Sequence, residues 1–190
     1  MKAELDPAIH FMRGSAGSFV YRKIRGKTIM SERPRSDREA TPGQMAHRER
    51  FKQAAFYGKV TMGNEEVRAL YEEAAKDKDL PIFSVMVADF FNAPIIHSID
   101  LSGYNGMANS TIIIYASDDF SVNEVQVIVS DEQGAHLESG GAQETVPGAG
   151  QWVYIAKSTP LASTLVVKAV AKDRPGNVAV KTETLVREQG

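Results

Sequence analysis

The residues best suited to chemistry in this sequence are four histidines and a small set of acidic residues. The histidines are His10, His47, His97 and His136. None of them lies in a His-Glu-x-x-His segment or has a second ligand at a regular metal-binding spacing. His47 and Glu49 are two positions apart, so on a helix they face different sides. The histidine pattern therefore predicts no metal site.

Four residues in the second half could offer oxygen atoms to calcium, namely Asp118, Asp119, Asp173 and Asn177. The sequence has no Asp-x-Asp-x-Asp-Gly loop, however, and an Asp in a β-turn commonly accepts hydrogen bonds from nearby backbone amides. Asp173, Gly176 and Asn177 fit a turn in which one side chain caps the backbone and the following residues tolerate positive φ. We interpret these three as a structural turn, and we predict neither a metal nor a cofactor.

The patterns of common catalytic sites are missing as well. The stretch GSAGS, residues 14–18, is rich in glycine but lacks the Lys-Ser/Thr of a phosphate-binding loop, and no helix is predicted directly after it. The sequence contains no Gly-x-Ser-x-Gly elbow. We therefore predict that the protein is not an enzyme and has no catalytic residues, and that GSAGS is a flexible lead into the next segment.

The N-terminal half is predicted to form a β-hairpin and three helices. Residues 19–31 alternate as two short strands around Arg25-Gly26. Thr41 is the predicted N-cap of the first helix, with Gln44 in the position of a capping box, and Asn64 caps the second. The third helix lies within residues 80–91. The first helix should pack through an inward stripe made of Met45, Arg48, Phe51, Ala54 and Ala55.

The predicted hairpin carries apolar residues on both of its faces. Pairing across the turn joins Ile24 to Lys27, Arg22 to Ile29 and Tyr21 to Met30. A lone hairpin is only marginally stable in water, so we expect protein cover on it, from this chain or from another. The predicted protein-interaction residues are Phe19, Val20, Tyr21, Arg22, Ile24, Lys27, Ile29 and Met30.

Charge is unevenly distributed along the chain. Residues 10–59 contain 12 basic and 4 acidic side chains, a net charge of +8, whereas residues 91–190 contain 6 basic and 11 acidic side chains, a net charge of −5. Such a basic region can attract phosphates, acidic protein or anionic lipid. The sequence lacks a helix-turn-helix, RNA-recognition or zinc-finger signature. Nucleic acid therefore stays the alternative partner, and its candidate contacts are Lys23, Arg25, Arg33, Arg35 and Arg38.

Residues 94–190 change to short β-rich runs separated by turn residues. Seven such runs over about 95 residues predict an antiparallel β-sandwich of the immunoglobulin type. Trp152 and Tyr154 share one face of their predicted strand, and Val153 and Ile155 share the other. Core packing is the default for one of these two pairs, and an exposed aromatic contact or carbohydrate platform is the alternative.

Two resemblances accompany these patterns. The ending VVKAVAKDRPGNVAVKTETLV, with its Asp-x-x-Gly-Asn turn, and the stretch YASDDFSVNEVQVIVSDEQGAHLESG resemble strands of bacterial immunoglobulin-like domains. The resemblance implies a sandwich without cysteine or an active site. The N-terminal half resembles an uncharacterised bacterial family of unknown function that combines a GK hairpin, an RP connector and a helix. The matching helix positions are Thr41, Gln44, His47, Arg48, Arg50, Phe51 and Ala54.

The predicted fold class is therefore α+β. Residues 1–93 would form a small β-hairpin with a three-helix region, and residues 94–190 an immunoglobulin-like β-sandwich. We expect a structural or interaction protein, a self-assembling subunit of a filament, phage-like particle or surface assembly. Its partners would be copies of itself or other assembly subunits, with a nucleic-acid-associated protein as the alternative function. No export signal or membrane span is predicted, so we expect synthesis in the cytoplasm and leave the final location open, whether released or in a particle.

Overall fold

The computed structural model describes residues 13–24, 26–33 and 39–187. The chain divides into two compact units, the first ending at Ala46 and the second beginning at His47. The architecture is mixed α+β, as predicted, with three helices and three antiparallel sheets in the described residues. The predicted boundary between residues 93 and 94 concerns independently folding domains and stays a prediction.

The first unit contains a three-stranded antiparallel sheet, here called the N-terminal sheet. Its strands are β1 (Gly14–Ala16), β2 (Phe19–Ile24) and β3 (Lys27–Glu32), and β2 lies in the middle. Gly17 has φ of +56°, which suits the tight turn between β1 and β2. The prediction that GSAGS is only a flexible lead was wrong, because residues 14–16 pair with β2 and extend the predicted hairpin to three strands.

Three helices follow, α1 (Pro42–Met62), α2 (Glu65–Asp77) and α3 (Ile82–Phe91). The predicted capping box is present: the Thr41 amide donates to Gln44 Oε1 at 3.1 Å, and the Gln44 amide donates to Thr41 Oγ1 at 3.3 Å. Asn64 Oδ1 accepts a bond from the Val67 amide and caps α2 as predicted. The start signals in the sequence therefore place both helices correctly.

The inward stripe predicted for α1 was wrong over its first turns. Met45 and Phe51 are exposed, and the buried positions are Ala54, Gly58 and Thr61. Gly58 lies directly against the Phe83 ring, at a distance where an added Cβ would be 3.0 Å from Phe83 Cε2. The buried positions of α1 therefore all lie in its second half, and they are small residues rather than its large apolar ones.

Eight strands follow in the described part of the chain, and we call residues 95–186 the two-sheet region. The seven predicted strands are all present, joined by one short additional strand, β8. One sheet has the order β11-β10-β6-β7 and the other β4-β5-β9-β8, all antiparallel. The strands are β4 (Ile95–Asp100), β5 (Thr111–Ser117), β6 (Val122–Asp131), β7 (His136–Gly141), β8 (Gln143–Glu144), β9 (Gln151–Ile155), β10 (Thr164–Asp173) and β11 (Val178–Val186).

The two sheets share one hydrophobic core. Strands β5, β6 and β10 alternate between buried and more exposed positions, the period of a strand with one face inward. Trp152 and Tyr154 are the pair buried in this core, so the prediction that one pair of this strand packs inward is confirmed, and these two rings form no exposed platform. Burial of large aliphatic and aromatic side chains is the main stabilising term here.

The helices and the two-sheet region meet within the second unit. The Asn177 side-chain amide donates to the backbone carbonyls of Asp89, Phe90 and Asn92 at 3.1–3.3 Å. The Phe120 ring stacks on Tyr71 with a centroid distance of 3.9 Å. These contacts bind the end of α3 and the face of α2 to loops of the sheets. No helix in the described part of the chain has the length and apolarity needed to cross a membrane.

Candidate interaction surface and acidic cluster

The N-terminal sheet has the strand register that the sequence predicts. Ile24 pairs with Lys27, Arg22 with Ile29 and Tyr21 with Met30. Since directly paired residues lie on the same face, both faces carry apolar side chains. One face holds Phe19, Tyr21 and Met30, and the other holds Val20, Ile24 and Ile29.

Most of these apolar side chains are exposed. Ile24 is 51% exposed and Ile29 46%, while Val20 and Tyr21 are partly buried. None of the described residues of the three strands is fully buried. This sheet of two six-residue strands and one three-residue strand therefore has no core of its own. Such a small sheet rarely leaves this much aliphatic surface exposed to water.

Basic side chains accompany these apolar residues. Arg22, Lys23, Lys27 and Arg33 are all exposed. The candidate nucleic-acid contacts Arg25, Arg35 and Arg38 lie outside the described residues. The N-terminal sheet thus combines positive charge with aliphatic surface, a composition suited to an acidic and partly apolar partner.

The positions that carry the N-terminal family resemblance have structural roles. Thr41 and Gln44 form the capping box, and Ala54 is buried. The His47 ring lies 5.6 Å from the Phe91 ring, and the Arg50 guanidinium lies over that same ring at 5.1 Å. These residues therefore start α1 and fasten it to the end of α3.

A second arrangement brings three carboxylates together, and we call Asp89, Asp118 and Asp173 the acidic cluster. Each offers one oxygen, and these oxygens lie within 4.8 Å of one another. Asp89 comes from α3, Asp118 from the loop after β5, and Asp173 from the end of β10. Asp89 and Asp173 are each 1% exposed, and Asp118 is partly buried.

Hydrogen bonds hold one oxygen of Asp89 and of Asp118 and both oxygens of Asp173, whose Oδ2 accepts from the Asn177 side-chain amide at 2.6 Å. Asp118 Oδ2 accepts from the amides of Phe120 and Ser121 at 3.2 Å. Asp173 Oδ1 accepts from the amides of Gly176 and Asn177 at 2.8 and 2.6 Å. Asp89 Oδ2 accepts from the Tyr71 hydroxyl. The cluster is therefore held by α2, α3 and two turns of the two-sheet region.

The predicted structural turn is present in part. Asp173 caps the turn and Gly176 has φ of +100°, as predicted. Asn177, by contrast, does not have positive φ; its role is to carry the amide that bonds the end of α3. Of the candidate oxygen ligands in the sequence, Asp118 and Asp173 lie close together. Asp119 does not belong to this group, and its Oδ2 accepts a hydrogen bond from the Asn92 side-chain amide.

Burial changes the proton affinity of the cluster. Burial, followed by the neighbouring charges of Asp118 and Asp173, raises the pKa of Asp89 to about 7, although the Tyr71 hydroxyl opposes the rise. The pKa values of Tyr71 and Tyr57 are raised as well, in both cases chiefly by burial. The Tyr57 and Tyr71 hydroxyls are 2.8 Å apart, so a chain of polar groups runs from Tyr57 through Tyr71 to Asp89.

The free energy of unfolding should fall as the pH rises from about 4 to about 7. Below the ordinary pKa of 3.8 both states hold the Asp89 proton, and above about 7 both have lost it. Between these pH values the folded state keeps the proton and the unfolded state has lost it. Raising the pH across this range therefore lowers the free energy of unfolding, on the order of 1 to 3 kcal/mol. Urea unfolding at several pH values, in buffer without divalent cations, measures the slope.

The matched variants for this measurement are Asp89→Asn and Asp119→Asn. The first removes the buried titrating group and should flatten the pH dependence between 4 and 7, while the second removes an aspartate outside the cluster and should leave it as in the wild type. Equal slopes in all three proteins would contradict the assignment to Asp89.

The histidines do not join this cluster. His97 Nε2 lies 2.7 Å from Ser117 Oγ, and His136 Nε2 lies 3.1 Å from Ser139 Oγ. His10 lies outside the described residues. Among the residues that the structure describes, the acidic cluster is the single group of three or more potential metal ligands.

Comparison with known proteins adds little detail. No family model and no curated protein matches the chain. An engineered protein of known structure is 23% identical over 50% of this chain and 20% of its own length, with a TM-score of 0.38. CopC from Methylosinus trichosporium OB3b is 11% identical over 51% of this chain and 97% of its own, with a TM-score of 0.39.

A third similar structure is a tetra-tandem repeat in the extending region of a large adhesion protein. It is 20% identical over 50% of this chain and 24% of its own length, with a TM-score of 0.35. The match thus spans about a fifth of the engineered protein and a quarter of the adhesion repeat. What these proteins share with the chain is β-rich structure.

Proposed function

We propose that the protein is a structural subunit that assembles with further copies of itself through its N-terminal sheet. The observation that carries the proposal is the exposure of apolar side chains on both faces of that sheet, with Ile24 and Ile29 about half exposed. Hydrophobic surface of this kind is stabilised when a partner removes it from water.

The occupant we propose is the two-sheet region of a second copy. Charge supports this choice, because residues 10–59 carry +8 and residues 91–190 carry −5. Aliphatic surface supports it too, since Val178, Val180 and Val186 on β11 are 50–69% exposed. An aliphatic, acidic region and an aliphatic, basic sheet are complementary in both respects.

A contact between two different surfaces of the same chain is heterologous. Repeated from copy to copy, it produces a ring if the rotation closes and a filament if it does not. This geometry fits a subunit of a filament, a phage-like particle or a surface assembly, where each copy receives one neighbour and offers itself to another.

We further propose that the two-sheet region is an immunoglobulin-like sandwich. Its strands, taken in chain order, form one sheet of first, second, sixth and fifth strands and another of eighth, seventh, third and fourth. This corresponds to the ABED and GFC arrangement of immunoglobulin domains, with one added edge strand. The resemblance to bacterial immunoglobulin-like domains implies a region without an active site, which is in keeping with a structural role.

The test is the mass of the full chain as a function of concentration. Size-exclusion chromatography with light scattering should show a mass above the 20.8 kDa of one chain, rising with protein concentration. A mass of one chain at every concentration up to the millimolar range would reject assembly.

Nucleic-acid binding is the second candidate, favoured by the exposed Arg22, Lys23, Lys27 and Arg33. A gel shift with generic DNA and RNA at low salt separates the two functions, because protein binding to the phosphate backbone of a nucleic acid weakens steeply as the salt concentration rises. A salt-sensitive shift from a chain that stays monomeric would favour the nucleic-acid function over assembly.

A further inference from the structure

The acidic cluster has a feature that the hydrogen bonds described above leave unexplained. Asp89 Oδ1 and Asp118 Oδ1 are buried, and neither accepts a hydrogen bond. Asp89 is 1% exposed, so water does not solvate this oxygen from the surface. Leaving a buried carboxylate oxygen without a donor or a cation costs several kcal/mol.

No described basic side chain forms an ion pair with the cluster. The described residues form two ion pairs, Lys52 with Glu49 and Arg68 with Glu72, and both lie on helix surfaces. Neither pair includes a member of the cluster. Three carboxylates that share a small volume repel one another, which favours either proton uptake or the binding of a positive ion.

The three candidate ligands are all carboxylate oxygens, the donor type that calcium and magnesium both prefer. They lie within 4.8 Å of one another, close enough for all three to contact one calcium ion at about 2.4 Å. We favour calcium because it tolerates irregular geometry, whereas magnesium demands a nearly ideal octahedron and usually keeps several waters.

An ion could reach the cluster from solvent. Asp118 lines a surface pocket together with His97, Phe120 and Ser121. Because calcium takes six to eight oxygen ligands and three carboxylates supply only part of that number, water entering from this pocket could complete the set.

We propose that Asp89, Asp118 and Asp173 bind a divalent cation, with calcium as the expected ion. The ion would connect the end of α3, the loop after β5 and the end of β10 through their carboxylates. It would thereby fasten the helices to the two-sheet region at the place where Asn177 also joins them. The site is structural, and it is independent of whether the N-terminal sheet assembles.

The test is calcium titration of the full chain at pH 8, after removal of metal with a chelator. Calorimetry with calcium chloride should show saturable binding, and the melting temperature should rise by about 5 °C or more at calcium concentrations a hundred times the Kd. Terbium, excited through the tyrosine adjoining Asp89, gives a second readout by luminescence.

The informative variant is Asp118→Asn, with Asp119→Asn as its neighbour outside the cluster. An asparagine at 118 can still accept bonds from the Phe120 and Ser121 amides, so the loop should keep its structure. We expect calcium affinity at least tenfold lower for Asp118→Asn, with the calcium-induced rise in melting temperature reduced to about half or less, and wild-type binding for Asp119→Asn. Urea unfolding in chelator checks that Asp118→Asn is folded.

Three results would overturn the proposal. The first is a wild-type chain that shows neither heat of binding nor a rise in melting temperature in millimolar calcium. A proton shared among the carboxylates would then be what reduces their repulsion. The second is equal loss of binding in both variants, which would indicate diffuse attraction to surface carboxylates. The third is a larger response to magnesium than to calcium, which would contradict the choice of calcium.

Discussion

Replacing Ile114 with alanine is expected to lower the free energy of unfolding by about 3 to 5 kcal/mol. Ile114 is fully buried on β5, where it pairs with Ile99 on one side and with Trp152 on the other. Removing three carbons from this position loses their transfer free energy and leaves a cavity between strands that are already paired. Urea unfolding followed by Trp152 fluorescence measures the change.

Ile113 supplies the matched control for this experiment. It is the preceding residue of the same strand, it points to the other face and it is only partly buried. The alanine variant at 113 should cost no more than about 1.5 kcal/mol. If the two variants lost equal stability, or if Ile113→Ala lost more, the assigned strand register of β5 would be wrong, because a shift of one residue exchanges the two faces.

The second large effect concerns assembly through the N-terminal sheet. The double variant Ile29→Thr/Met30→Thr removes one aliphatic side chain from each face and retains a residue suited to a strand. If both side chains are buried on association, their loss removes about 3 kcal/mol of binding free energy, equivalent to a Kd raised about a hundredfold. The mass of the variant at a given concentration should therefore fall toward that of one chain.

Much of the fold follows from local patterns that act within a few residues. The capping box of Thr41 and Gln44 and the Asn64 cap set the starts of α1 and α2, because short-range hydrogen bonds decide helix ends. Alternation between apolar and polar residues similarly predicted the seven long strands of the two-sheet region. In both cases the deciding interaction is close in sequence.

The predictions were wrong where the contact that determines the structure joins residues far apart in sequence or is made by the backbone. Strand β1 has small residues without a recognisable strand pattern, and it forms because its backbone pairs with β2. The packed face of α1 was misjudged because Gly58 allows Phe83 to approach closely, so small residues rather than large ones became the contact. Neither effect is visible in the periodicity of the helix.

The sequence identified only two members of the acidic cluster. Asp118 and Asp173 were candidate oxygen ligands, and each also caps a turn. Asp89 was missed although it carried a signal, since it is a single charge in the otherwise apolar stretch VMVADFF. A buried charge in an apolar helix needs a partner, and the partner came from strands far along the chain.

The most direct test of the proposed function is sedimentation of three full-length proteins over one concentration series. They are the wild type, the double variant Ile29→Thr/Met30→Thr, and the control variant Leu161→Ser, which removes a fully exposed apolar residue from a loop outside the N-terminal sheet. Assembly through the sheet predicts concentration-dependent oligomers for the wild type and Leu161→Ser, and monomers for the double variant. Identical sedimentation of all three proteins would contradict the account.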